Sequence, residues 1–168
     1  MKEIIDKISS YNLFNYLFPG VIFVLLLKSI SKFDLIQENN FIGAFLYYFI
    51  GLVISRFGSL VIGSIIQKMT FFIKFSDYSK FVLASEKDEK INLFSEVNNM
   101  YRTIISLLVL LLLSVGFEKA NDILCFSNLE ALIIIICLLI ILFIFSYRKQ
   151  TSFIVKRVDL KTKNQIDK

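Results

Sequence analysis

Residues 131–147 read ALIIIICLLIILFIFSY, an apolar run rich in isoleucine, leucine and phenylalanine that contains no charged residue. Glu130 precedes the run, and Arg148 and Lys149 follow it. A helix needs about 20 mostly apolar residues to cross a bilayer core about 30 Å thick. The run is close to that length and has charges at both ends, so the sequence predicts a transmembrane helix here.

The composition of the whole chain supports a membrane location. The chain has 168 residues, of which 56% are hydrophobic, and its mean hydropathy is +0.69. Soluble domains have roughly 45–50% apolar residues, and a chain of this size could not hide the excess from water. We therefore expect a single membrane domain over residues 1–168.

Three further segments have the length and apolarity of a membrane crossing, at about 13–30, 41–66 and 103–117. Pro19 lies inside the first and predicts a kink, because proline removes a backbone hydrogen bond. No small-residue cleavage site follows this segment, so we expect it to stay in the mature protein. The predicted fold is an all-α integral membrane protein with four transmembrane helices.

The distribution of lysine and arginine predicts the orientation of these helices. Fifteen of the 19 positive residues fall before the first span, between the second and third, or after the fourth. The opposite side carries Lys28, Lys32 and Lys119 beside several carboxylates. Cytoplasmic loops are enriched in lysine and arginine. We expect both termini in the cytoplasm, across a bacterial inner membrane.

The cytoplasmic segment 67–100 is the largest predicted piece outside the bilayer. Ser85 and Asp88 resemble a capping box, with aspartate in place of glutamate. An apolar face at helical spacing then continues into the third span. The pattern predicts one helix from about Glu86 to about Gly116, roughly 45 Å long. The third transmembrane helix would thus have a cytoplasmic helical extension, or stalk.

Small residues line one face of the second span. Such a stripe lets another backbone approach closely, which promotes helix association in lipid. Two interpretations stay open, namely a seam for self-association and ordinary packing inside one four-helix monomer. The residues concerned are Gly51, Ser55, Gly58, Ser59 and Gly63.

Arg56 is a charged residue inside the predicted second span. An arginine at the bilayer centre costs about 2.5–3.5 kcal/mol on insertion scales. It lies ten residues from Ile66, roughly 15 Å by helical rise. Arg56 could form a ring of charge in an oligomer, a switching ion pair or a structural salt bridge. Glu96, which precedes the third span, is the best candidate partner.

Other polar and basic residues cluster where the chain enters or leaves the membrane on the cytoplasmic side. Side chains at the start of the third span could bond to neighbouring helices or to a partner. The basic tail at 148–168 could bind anionic lipid or a partner, or could simply anchor the topology. The residues singled out are Glu96, Asn98, Asn99 and Arg102, and in the tail Arg148, Lys149, Lys156 and Arg157.

The sequence predicts no catalytic chemistry. It contains no histidine, and its two cysteines, Cys125 and Cys137, form no CxxC motif. The usual zinc sites and histidine-activated nucleophiles are therefore excluded. Glu96, Asp77 and Asp88 form no paired-acid or metal motif that would serve a lipid-modifying enzyme. We expect no enzymatic activity, no metal and no cofactor.

Three segments resemble those of small inner-membrane proteins from bacterial anti-phage defence loci, in particular the membrane subunits of Kiwa systems, the KwaA family. They are SYNLFNYLFPG at 10–20, GLVISRFGSL at 51–60 and SEVNNMYRT at 95–103. The resemblance implies a homo-oligomer, for example a tetramer, that senses phage attack at the membrane. It also implies a soluble cytoplasmic defence protein as partner, which acts on phage DNA processes.

Two functions from different classes compete. In the first, the chain is an oligomeric membrane sensor and scaffold that docks the soluble partner and contacts membrane lipids. The alternative is a pore-forming or membrane-disrupting homo-oligomer, whose pore would lie on the oligomer axis near Arg56 and favour anions. Direct nucleic-acid binding is not expected, because no platform of aromatic and basic residues is present.

Overall fold

The computed structural model describes residues 12–166, with side chains described up to residue 162. Within this range the chain is helical and has no strand. Four of its helices are long and apolar enough to cross a membrane, which confirms the predicted all-α class with four helices of that kind. Lys2, Lys7 and Lys168, which contribute to the predicted orientation, lie outside the described residues. The helices are α1 (Leu13–Ile30), α2 (Asn40–Lys68), α3 (Tyr78–Ser85), α4 (Lys90–Leu124) and α5 (Asn128–Ile166).

Helices α1, α2 and α4 pack against one another and enclose the apolar core. The core is a cluster of four buried side chains, Leu27, Ile54, Leu107 and Leu111. Helix α5 packs on α2 and α3. In the most apolar 18-residue stretch of α5, only 6% is buried inside the protein, whereas 22–28% is buried in the corresponding stretches of the other three long helices. The fourth long helix therefore presents most of its apolar surface outward.

The bundle has two different ends. The short-loop end contains the connections at 31–39 and 125–127, and the α3 end contains residues 69–89 with α3. Helices α1 and α4 run towards the short-loop end, and α2 and α5 return from it. Residues 148–166, predicted as a basic tail, continue α5 as a helix at the α3 end.

Helix α4 is a single helix, as predicted, but its ends differ from those expected. It begins at Lys90 rather than near Glu86 and ends at Leu124 rather than near Gly116. The predicted capping box at Ser85 and Asp88 is wrong, because Ser85 lies in the last turn of α3 and its hydroxyl donates to the Val82 carbonyl at 3.0 Å. Asp88 instead accepts a hydrogen bond from the backbone amide of Lys90 at 3.0 Å.

A capping box does occur, at the start of α5. The Ser127 amide donates to the Glu130 carboxylate at 2.8 Å, and the Glu130 amide donates back to the Ser127 hydroxyl at 3.3 Å. These bonds satisfy two amides that would have no partner inside the helix. Asn39 caps α2 by accepting from the amides of Phe41 and Ile42.

Two of the long helices contain a widened π-helical turn, Leu13–Leu17 in α1 and Gly58–Ile62 in α2. Pro19 follows the first of these turns and is buried within a helix that continues to Ile30. Proline has no amide hydrogen and cannot donate a helical hydrogen bond. Pro19 lies where the backbone changes from π to α geometry, and there the regular hydrogen-bond pattern is already interrupted. Both π turns lie towards the α3 end, next to the polar side chains described below.

Candidate functional site

Two glycines bring the backbones of α1 and α2 into direct contact. A Cβ atom placed on Gly51 would lie 1.6 Å from the Tyr16 carbonyl oxygen, and one placed on Gly20 would lie 1.8 Å from that of Tyr47. No side chain fits at either position, since real atoms do not approach that closely. Close approach through small residues is the way helices pack when no hydrophobic force acts between them.

A hydrogen-bonded set of buried polar side chains joins three helices beside this contact. The Asn15 amide donates to the Ser55 hydroxyl at 3.2 Å, and the Thr103 hydroxyl donates to the Asn15 carbonyl oxygen at 2.8 Å. The three residues are 2%, 3% and 0% exposed, respectively. The π turn around Asn15 positions it between α2 and α4. We call these three residues the buried polar set.

The other small residues of α2 also contact neighbouring helices of the same chain. A Cβ on Gly58 would lie 2.4 Å from the Ser106 hydroxyl, and one on Gly63 would lie 3.4 Å from the Arg102 side chain. With Gly51 and Ser55, they supply the packing interface inside the monomer, the second of the two interpretations of the stripe. A self-association surface would therefore lie elsewhere on the molecule.

The cationic side chains of α2 and α5 lie near each other at the α3 end. Arg56 donates to the Tyr16 hydroxyl at 3.1 Å. Lys149 donates to the backbone carbonyl of Ser59 and, at 3.0 Å, to its hydroxyl. Lys149 and Arg56 also line the same small cavity between α2 and α5. This pair was not predicted, since Lys149 belonged to the predicted tail.

The bond between Lys149 and Ser59 relates Arg56 to the predicted end of the fourth span. The predicted fourth span ends at Tyr147, two residues before Lys149. Arg56 is one turn from Ser59, about 4.5 Å by helical rise, so the predicted end of the fourth span places it nearer the membrane boundary than the predicted end of the second span does. Glu96, the predicted partner, is exposed and forms no salt bridge in the described part of the chain.

Of the remaining predicted residues, Asn99 and Arg102 lie within one turn of Thr103 on α4, and their backbone carbonyls accept hydrogen bonds from hydroxyls of the same helix. The Asn99 carbonyl accepts from the Thr103 hydroxyl at 2.9 Å, and the Arg102 carbonyl accepts from Ser106 at 2.6 Å. Both side chains are half-buried. The exposed members are Asn98, Arg148, Lys156 and Arg157.

Outside the predicted spans, α3 packs against the projecting parts of α4 and α5. The ring of Tyr78 stacks on that of Phe153, with centroids 5.1 Å apart, and Val82 is buried. Lys161 forms a salt bridge with Glu86 at 2.6 Å. The hydrogen bond from Lys161 holds the pKa of the Glu86 carboxyl below its usual value. The three helices together form a platform at the α3 end, which we call the α3 platform.

Residue types that bind metals are not clustered in the described part of the chain. Among residues 12–162, no group of three histidine, cysteine, aspartate or glutamate side chains is placed to hold a metal ion. The buried polar set consists of neutral groups that satisfy one another. The chain matches no family model, no curated protein and no solved structure.

Proposed function

We propose that this chain is a four-pass protein of the bacterial cytoplasmic membrane, with both termini in the cytoplasm. Four apolar helices of crossing length support the insertion. The excess of lysine and arginine at the α3 end supports the orientation. The buried polar set is satisfied inside the bundle, as polar groups at membrane depth must be.

Its proposed role is to dock a soluble cytoplasmic protein on the α3 platform. The observation that carries this role is an exposed apolar stripe on the projecting part of α4. Phe94 is 67% exposed, Leu93 57% and Tyr101 58%, and Val97 lies between them at helical spacing. Exposed apolar patches beyond the membrane commonly mark protein interaction sites. Helix α3 packs against both α4 and α5 in this region and so holds the part of α4 that carries the stripe.

The biological setting that we propose is anti-phage defence, in which the chain acts as an oligomeric sensor and scaffold. The three segments that resemble the KwaA family supply this part of the proposal. The stripe of small residues on α2 is occupied inside the monomer, so self-association would use the outward apolar face of α5 instead. Helix α5 is the least buried of the four long helices.

The test is affinity purification of the tagged full chain in mild detergent, with the mass of the intact complex and the identity of each component determined. The wild type should recover a homo-oligomer with a soluble protein bound. Phe94→Asp should lose that protein, because it places a charge in the apolar stripe. Asn92→Asp is the matched control, since it adds the same charge at an exposed position two residues away on α4.

Recovery of the chain with lipid alone would contradict the docking role, and a monomeric mass would contradict self-association. If Phe94→Asp and Asn92→Asp release the partner equally, the stripe is not the docking surface. The defence setting has its own test, which is the efficiency of phage plating on cells that carry the chain together with the recovered protein. Unchanged plating would contradict it.

The pore-forming alternative has less support. Arg56 is bonded to Tyr16 within the monomer, and the buried polar side chains face the centre of a closed three-helix core. A steady membrane potential during phage attack would argue against a pore.

A further inference from the structure

A small cavity lies between α2 and α5 at the α3 end. Its volume is about 30 Å³, which is space for one oxygen-sized group. Arg56 and Lys149 line it, and no carboxylate is among its lining residues. Neither cation forms a salt bridge within the described part of the chain. The cavity is therefore positively charged without a counter-ion from the residues around it.

The polar groups that face this cavity have more donors than acceptors. Ser146 also lines it and is only 8% exposed, yet its hydroxyl has no hydrogen-bond partner among the described residues. Other helical serines, such as Ser114, donate to a carbonyl of their own helix instead. Lys149 has three N–H groups, of which two bond to Ser59. The missing group is therefore an acceptor, and the two cations favour an anion.

An apolar groove runs along α5 and is bounded by Phe49 of α2, and its residue Tyr147 follows Ser146 of the cavity directly in the sequence. Its volume is about 590 Å³, and its lining includes Phe49, Ile140, Phe143 and Tyr147. The rings of Phe49 and Phe143 stack on each other, with centroids 6.2 Å apart, and so join α2 to α5 at this groove. The groove extends towards the short-loop end, since Phe49 precedes Arg56 by seven residues, about 10 Å of helix.

The geometry points to an anionic phospholipid bound in this α2–α5 seam, with one phosphate oxygen in the cavity and an acyl chain along the groove. A cationic pocket at the end of an apolar groove matches a molecule that is anionic at one end and apolar along its length. Lys149 lies two residues beyond the predicted span, the level of lipid phosphates. The inference rests on the proposed membrane location but is independent of the docking role.

The experiment measures which lipids the purified full chain retains. The protein in mild detergent is incubated with phosphatidylglycerol or phosphatidylcholine of identical acyl chains, and bound lipid is counted by native mass spectrometry. Phosphatidylglycerol should be retained about tenfold better, because both lipids supply a phosphate oxygen but only phosphatidylcholine carries an ammonium group, which Arg56 and Lys149 repel. Equal retention of the two lipids would overturn the proposal. So would a wild-type chain that retains neither, with water filling the cavity.

Lys149→Gln should abolish most of this preference, because it removes the charge and keeps a donor for Ser59. Arg148→Gln is the matched control, since it removes the same charge from an exposed neighbour that does not line the cavity. A general electrostatic effect would reduce retention equally in both variants and would contradict a defined site. Ser146→Ala leaves every charge in place and suits a helix, so it tests the site even if Lys149→Gln fails to fold. It should lower retention of phosphatidylglycerol several-fold, because it removes one hydrogen-bond donor to the phosphate.

Two further experiments distinguish a bound lipid from a bound free anion. Ile140→Trp, which fills the groove, should lower retention of phosphatidylglycerol, whereas a site for a free anion would not respond. Inorganic phosphate, added at the same concentration as the buffer salt, should not displace the lipid. Complete displacement would show that the cavity binds a free anion instead. Failure in these experiments leaves the docking role intact, whereas a chain found in the soluble fraction of cells would overturn both proposals.

Discussion

The two ends of the bundle are closed by different kinds of contact. At the short-loop end, Lys28 bonds to Asp34 at 2.9 Å and Lys32 bonds to Asp122 at 3.3 Å, and these four side chains are at least half exposed. At the α3 end, the helices are joined by neutral hydrogen bonds between side chains that are almost completely buried. Around α1, α2 and α4, the short-loop end thus relies on exposed charges, and the α3 end on shape and buried hydrogen bonds. The exposed Lys161–Glu86 pair at the α3 end joins α3 to α5, outside this three-helix core.

The difference predicts where the fold is sensitive. Exposed ion pairs contribute little, because water and salt screen them. A buried polar group that loses its partner pays the full desolvation penalty. A backbone contact through glycine tolerates no added atom at all. The α3 end should therefore set the register of α1, α2 and α4, and the short-loop end should tolerate change.

The largest effect is expected at Gly51. Gly51→Ala would place a methyl group against the Tyr16 backbone, so α1 and α2 must separate, at a cost of about 3 kcal/mol or more in free energy of unfolding. Thermal unfolding in detergent, followed by size-exclusion chromatography, measures this loss. Gly116→Ala is the matched control, because nothing lies within 4 Å of its added methyl group. It should raise stability by up to about 1 kcal/mol, as alanine favours a helix over glycine.

A smaller effect is expected from the buried polar set. Asn15→Ala should lower the free energy of unfolding by about 1–2 kcal/mol, since it leaves the Ser55 and Thr103 hydroxyls without a shared partner. A double-mutant cycle with Thr103→Val should show a positive coupling, measured by unfolding in mixed detergent. The control is Ser114→Ala, whose hydroxyl bonds only within its own helix. Additive effects of Asn15→Ala and Thr103→Val would contradict the set as a unit.

Much of the fold could be predicted from local patterns in the sequence. The apolar run at 131–147 and three weaker runs gave four crossing helices, because length and apolarity suffice for that inference. Helix ends were predicted less well. The capping box was expected at Ser85, whereas Ser127 and Glu130 form it, although both pairs have the same spacing. Spacing alone does not say which serine begins a helix and which ends one.

The candidate site was predicted only in part, because it depends on which helix faces which. The stripe on α2 predicted a packing or self-association surface without naming a partner. The groups that Gly51 and Gly58 contact, Tyr16 and Ser106, lie 35 and 48 residues away from them in the sequence. Asn15 was overlooked, although a polar amide just inside an apolar span is a signal of a hydrogen-bonded helix contact. Lys149 was assigned to a tail, since only the packing of α5 on α2 places it beside Ser59.

A still smaller effect concerns pH at the α3 platform. The Lys161 ammonium lowers the pKa of Glu86 from its ordinary value of 4.5, and Arg157 acts in the same direction. A lowered pKa in the folded state means that the ion pair stabilises the platform above that ordinary value and that the contribution is lost as pH falls through the lowered pKa. Hydrogen exchange of α3, corrected for its intrinsic pH dependence, should show this loss of protection. In the Glu86→Gln variant, the protection of α3 from hydrogen exchange should no longer depend on pH below that ordinary value.

The smallest effect is expected at the short-loop end. Lys32→Ala removes the contacts of this side chain with both Glu118 and Asp122, yet the Lys32 side chain is 74% exposed. The unfolding temperature of this variant should stay within about 1 °C of the wild type, because the exposed Lys32–Asp122 pair is screened. The largely buried Glu118 carboxylate keeps its hydrogen bond from the backbone amide of residue 32. Adding 1 M salt should shrink even that difference. A shift as large as that of Asn15→Ala would mean that charge at the short-loop end fixes the bundle as firmly as the buried polar set, and the contrast between the two ends would fail.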